Sequence, residues 1–193
     1  MKRIFTILFF ILIFTSNSFA VFFADGFGLY TDTGDLKSQM GVGAGFGFDI
    51  NSNFNFLFRT AYSGKTENAN TDNEIEYDHM TVLAGIEFIP SLPAMKNYRL
   101  SWKTSFLAGM SSSEAEPSNS SLGGGVSDSG FACALWTGIQ YDFTQVISPF
   151  LDLGYHYSYY KNDLDDASVK GFQVAFGVRF YLTGSRDYAG EYQ

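Results

Sequence analysis

The chain has 193 residues, 46% hydrophobic, 18% aromatic and 17% charged, with 20 glycines, one cysteine and a net charge of -8. The length suits one domain, the aromatic content excludes a disordered tail, and the lone Cys133 excludes a disulfide scaffold. The acidic balance argues against nucleic acid, whose phosphates need a basic face.

In chain order, Lys2 and Arg3 precede an almost unbroken apolar segment of 11 residues from Ile4 to Phe14, and Ser18-Phe19-Ala20 supplies small residues for cleavage. This is the layout of a signal peptide over 1–20; a membrane-spanning helix needs about 20 apolar residues. The mature chain would start near Val21 with 173 residues and a charge of -10, because two basic residues leave with the leader.

After Ala20 the recurring signal is period two, the mark of strands with two unlike faces. Val42, Ala44, Phe46, Phe48 and Ile50 alternate with four glycines and Asp49. Phe54, Phe56, Phe58 and Tyr62 oppose Asn55, Leu57, Arg59, Ala61 and Ser63, and Phe172, Val174, Phe176, Val178, Phe180 and Leu182 oppose Gly171, Gln173, Ala175, Gly177, Arg179 and Tyr181. The spacing predicts eight strands, at 21–32, 40–50, 54–63, 75–89, 98–112, 129–143, 148–161 and 169–182. Short turns alternate with mostly longer polar connections, including a Ser- and Gly-rich loop over Ser111 to Gly130. This pattern fits an all-β, eight-stranded antiparallel up-and-down barrel over 21–182, followed by a short tail at 183–193.

A soluble barrel would turn its second face to water with many charges. Here that face is mostly Gly, Ala and Ser, with isolated charges of both signs at Asp49, Arg59, Glu87, Lys103, Asp142, Asp152 and Arg179. Small residues and opposed ions suit a tight lumen, so these seven are predicted to form a lumen charge network. It would act as a plug of ion pairs or as a gate over a narrow conduit. The apolar face, including Phe46, Phe48, Phe56, Phe58, Phe172, Phe176 and Phe180, then faces lipid, which makes this a transmembrane barrel. Aromatics near strand ends, among them Phe22, Phe23, Tyr30, Tyr62, Tyr141 and Tyr181, are expected in interfacial girdles.

On these residues the mature chain resembles the small eight-stranded outer-membrane barrels, the superfamily of the OmpA transmembrane domain, OmpX and OmpW. The most specific part is the last strand, Gly171 to Leu182, which is similar to the signal read by the barrel-assembly machinery; family members usually stop at a terminal aromatic, whereas Thr183 to Gln193 follow here. The resemblance implies the outer membrane as address, its lipid and the assembly machinery as partners, and, through OmpW, passive passage of small hydrophobic molecules.

Sites of chemistry are few. Gly41 to Gly47 lacks the offsets of a phosphate loop, and Cys133 falls on the apolar face between Phe131 and Leu135. His156 and Ser158 share a strand face, and His156-Tyr157-Ser158 resembles the His-x-Ser element of the lipid A deacylase barrels. Tyr159 and Lys170 depart from that pattern, so an esterase is only the lesser alternative to a chain with no catalytic residues. No cofactor and no metal site is expected. The segments around the four long connections carry 13 acidic residues (Asp32, Asp35, Glu67, Asp72, Glu74, Glu76, Asp78, Glu114, Glu116, Asp128, Asp163, Asp165 and Asp166) against Lys37, Lys65, Lys161 and Lys170. Their bland role is a solvated surface; their functional role would be adhesion to a host or matrix ligand or weak cation binding.

Overall fold

The computed structural model describes residues 21–32, 38–67, 74–117, 126–160 and 169–182. The expected leader and tail lie outside the described residues, as do Asp35, Asp72, Asp163, Asp165, Asp166, Lys37 and Lys161.

Eight strands form one closed barrel: β1 (Phe22–Asp32), β2 (Ser38–Asp49), β3 (Phe54–Glu67), β4 (Ile75–Phe88), β5 (Leu100–Pro117), β6 (Val126–Tyr141), β7 (Ile147–Tyr159) and β8 (Val169–Tyr181). Each pairs antiparallel with the next, and β8 returns to β1. Following register partners from Thr31 through Gln173, Gly154, Trp136, Ser105, Glu87, Asn55 and Asp49 leads back to β1 at Val21, whose carbonyl accepts from the Asp49 amide. The path returns at position 21 rather than 31, a shear of ten residues, which tilts the strands about 40° from the barrel axis.

The short turns have local causes. The Asn51 side chain accepts from the amides of Asn53 and Phe54, and the Thr144 hydroxyl accepts from those of Val146 and Ile147. Between β4 and β5 the chain makes one helical turn, α1 (Pro93–Lys96), started by proline and left through Arg99 at φ 56°.

Four strands exceed their expected lengths, β2 by starting at Ser38. β3 continues to Glu67, β5 to Pro117, and β6 begins at Val126, so most of the expected Ser- and Gly-rich loop is paired sheet. Glu67, Glu114, Glu116 and Asp128, expected in connections, therefore sit on strands, together with Lys65. The Ser111–Gly130, Ser112–Ser129 and Ser113–Asp128 pairs explain the difference: a composition that reads as loop is tolerated where a neighbouring strand satisfies every amide.

Inside, Phe23, Phe27, Leu29, Leu57, Leu83, Leu107, Trp136 and Phe150 form a continuous apolar cluster. Phe23 and Tyr181, expected among the girdle aromatics, are inside it with their rings 6.1 Å apart. Glycine makes the room: a Cβ at Gly43 would run into the Phe27 ring, and one at Gly47 into the Phe23 ring. On β2 the glycines thus leave space for the large residues that β1 sends inward.

Candidate functional site

The lumen is dominated by a closed circuit of six alternating charges. Arg179 bonds Asp25 at 2.8 Å and Glu87 at 2.7 Å; Arg59 bonds Asp25 at 3.3 Å and Asp152 at 3.0 Å; Lys103 bonds Asp152 at 3.0 Å and approaches Glu87 at 3.9 Å. Three cations and three carboxylates thus alternate Asp25, Arg59, Asp152, Lys103, Glu87, Arg179 and back, contributed by six strands and leaving no net charge. Asn55 donates to Glu87 at 2.9 Å, which occupies a further lone pair.

Aromatic faces complete the cage. The Arg59 guanidinium lies 5.1 Å from the Phe27 centroid and 5.4 Å from that of Phe150, Lys103 Nζ is 3.8 Å from Phe150, and Arg179 is 3.9 Å from Phe23. Arg59 Nε and Nη1 have no hydrogen-bond partner among the described residues, and the ring faces supply the attraction that acceptors do not. Such a buried network stabilises little relative to apolar packing, but removing one member is severe, because it strands an opposite charge.

Five of the seven residues expected in the lumen network belong to this circuit. Asp142 does not: it lies just past β6 and accepts from Gln140 at 3.1 Å and Ser148 at 2.9 Å. Asp49 sits half-buried at the last position of β2, outside the circuit. Asp25 was missed by sequence reasoning, although its alternation with Phe23 and Phe27 was available as a signal.

The outer wall carries Phe46, Phe58, Phe172, Phe176 and Phe180 as exposed apolar side chains. Phe48 and Phe56 also point outward, but each is half covered because their rings stack at 5.4 Å. Cys133 lies on this wall, opposite Ala108 and Tyr157.

Toward the long-connection end a second polar layer fills the lumen. His156 Nε2 and Ser158 Oγ are 2.5 Å apart, Ser111 donates to Ser158 at 2.8 Å, and the Tyr160 hydroxyl bridges Ser111 at 3.0 Å and Ser113 at 2.7 Å. Ser113 is in turn 2.7 Å from His79 Nδ1. The structure therefore brings His156 and Ser158 together, as their spacing implies, and adds His79, Ser111, Ser113 and Tyr160 from elsewhere in the chain. For nucleophilic chemistry a third group must orient the base. His156 Nδ1 has no hydrogen-bond partner among the described residues, and Ser158 is 4% exposed inside the barrel.

The longest strands rise past the rest of the wall. A spanning strand needs about 9 to 11 residues, and β5 has 18. On the outer face of this extension Glu76 stands directly opposite Glu116, and Asp78 opposite Glu114. The Tyr62 hydroxyl donates to Asp78. Glu114 shares a hydrogen bond with Glu116, and that contact and the neighbouring charge raise its pKa above the ordinary value.

Similar folds occur among solved outer-membrane proteins. The neisserial surface protein A (NspA) superposes with a TM-score of 0.58 at 13% identity, over 86% of this chain and 98% of that one. Ail, the attachment invasion locus protein of Yersinia pestis, gives 0.54 at 14% identity over 84% and 97%, and a major outer membrane protein of Thermus thermophilus gives 0.57 at 12% over 84% and 100%. No curated protein matches the sequence. No helix among the described residues is long and apolar enough to cross a membrane; the strands of a closed barrel do so instead. The sequence pattern of the outer membrane protein beta-barrel domain matches residues 14–180, and with this architecture the chain belongs to that family of outer-membrane β-barrels.

Proposed function

We propose that this outer-membrane barrel is a surface-interaction protein of adhesion type, without catalytic function, which presents acidic strand extensions and connections to a basic host or matrix partner. The observation that carries this reading is the ladder of facing carboxylates, Glu76 with Glu116 and Asp78 with Glu114, on the outer face of β4 and β5. Like charges directly opposite one another destabilise a sheet, so folding alone gives no reason for them. A concentrated negative face steers and holds cationic partners.

Two fold neighbours bear the names of a surface protein and an attachment invasion locus protein. One Ail structure contains the heparin analogue sucrose octasulfate. A polyanion of that kind would be repelled here, and the partner sign is therefore reversed. The lumen circuit serves as a plug, and the lack of a third group on His156 Nδ1 among the described residues, with the enclosure of Ser158, weighs against an esterase. Outer-membrane lipid surrounds the apolar wall, and β8 is the segment offered to the assembly machinery.

The test is adhesion of cells displaying the protein to basic and acidic matrix coatings. Replacing Glu76, Asp78, Glu114 and Glu116 by their amides should abolish salt-sensitive adhesion while the barrel still inserts. Adhesion unchanged by the replacement, or uptake of apolar solutes by liposomes carrying the protein, would favour the conduit instead.

A further inference from the structure

The upper layer contains the chain's two histidines, and they meet. His79 on β4 and His156 on β7 have ring centroids 5.2 Å apart at an interplanar angle of 76°, and the residues are 2% and 1% exposed. Each ring commits one nitrogen to a hydroxyl, His79 Nδ1 to Ser113 and His156 Nε2 to Ser158. Those hydroxyls are joined through Tyr160 and Ser111, so both imidazoles hang on one hydrogen-bonded frame. The remaining nitrogens, His79 Nε2 and His156 Nδ1, are buried with no hydrogen-bond partner among the described residues.

Buried polar atoms are nearly always satisfied, so two orphaned imidazole nitrogens in one layer call for an explanation. A neutral imidazole that donates its one N–H to a hydroxyl leaves a lone pair on the other nitrogen, which is the form that ligates metals, and the hydroxyl then fixes the ring's orientation. Two imidazoles on one tetrahedral ion, with metal–nitrogen distances of about 2.0–2.1 Å, place their ring centres about 5 Å apart. That is the separation found here.

We propose that His79 and His156 form a binding site for a divalent transition-metal ion at the outer end of the lumen, with Zn2+ and Cu2+ as the ions that imidazole suits best. No third His, Cys, Asp or Glu joins them in a metal-binding group among the described residues. Water would complete the coordination shell, and the side chains flanking the rings in register are short: Ser63 lies opposite His79, and Ala134 and Gly171 lie opposite His156. The bound ion would tie β4 to β7 across the barrel, fastening the layer above the ionic circuit.

The test uses the full mature barrel refolded in detergent, titrated with Zn2+ by calorimetry and loaded with Cu2+ for electron paramagnetic resonance. The expected result is one Zn2+ per chain and a Cu2+ spectrum with two nitrogen ligands. His79→Gln and His156→Gln should each weaken Zn2+ binding at least about tenfold, in the range seen when a metal's supporting groups are lost, with heat-modifiable gel migration retained. A variant with Glu76, Asp78, Glu114 and Glu116 changed to amides should bind as wild type does. Absence of Zn2+ binding by the wild type, wild-type affinity in the double His→Gln variant, or loss of binding in the amide variant would each overturn the site.

Discussion

Asp25 and Arg179 face each other across the seam that closes the barrel: they are direct register partners of β1 and β8, joined by hydrogen bonds of 2.8 Å and 3.1 Å. The strands farthest apart in sequence thus meet at a bidentate ion pair that is fully enclosed. Arg179 also bonds Glu87, so one guanidinium serves two carboxylates. Arg179→Ala strands both charges and is expected to lower unfolding stability by about 3–5 kcal/mol. Arg179→Lys should recover part of that, because a point charge cannot reproduce the fork. Urea titrations read by heat-modifiable migration measure both, and equal stability of wild type and Arg179→Ala would refute this account of the seam.

The same circuit predicts a silent pore. With Arg59 and Lys103 held between carboxylates and covered by Phe27 and Phe150, wild-type protein in planar bilayers should show no large stable conductance. Lys103→Ala leaves Asp152 and Glu87 with one cation fewer and opens space above the Phe150 ring, so brief cation-selective openings should emerge. A large wild-type conductance unaffected by Lys103→Ala would show that the circuit does not close the lumen.

How much of this was legible in the sequence depended on which rule each strand obeys. On β2 and β8 the outward residues are large and the inward ones mostly small, so reading apolar bulk as the outer face placed Phe46, Phe176 and Arg179 correctly. β1 inverts the rule: Ala24, Gly26 and Gly28 point outward while Phe23, Asp25 and Phe27 point inward. Size alone therefore misassigned Phe23 and hid Asp25, because the inversion is explained only by the glycines of β2 across the pairing. The serines of β5 and β6 were unreadable for a related reason. Their strand character comes from each other's amides, and the His79–Ser113–Tyr160 contacts join segments with no sequence relationship.

Size matching across a pair is testable at Trp136 and Gly154, direct partners on β6 and β7. A Cβ on Gly154 would lie 2.6 Å from the indole, while the nearest backbone atom is 3.0 Å away. Gly154→Ala should therefore destabilise the barrel by about 1–3 kcal/mol through overpacking. Trp136→Leu alone should destabilise it by leaving a void. In the double variant the two losses should fall short of additivity by about 0.5–3 kcal/mol, the coupling expected of residues in contact. Strict additivity in denaturant titrations would mean that the indole and the glycine do not share one space.

The carboxylate ladder predicts a pH dependence confined to the upper ends of β4 and β5. Glu114 has a raised pKa in the folded protein because it shares a hydrogen bond with Glu116 and feels that neighbour's charge. A group whose folded pKa lies above its unfolded one stabilises the fold most below the unfolded value, and loses that contribution as pH rises through the folded value. The pairs between Ile75–Pro117 and Asp78–Glu114 should accordingly exchange amide hydrogens more slowly in mild acid than at neutral pH, after correction for the intrinsic rate. Glu114→Gln should slow exchange at neutral pH toward the acid value and flatten the profile. Protection that is unchanged between the two pH values, or that falls on acidification, would show that repulsion between these facing carboxylates does not govern the stability of the extension.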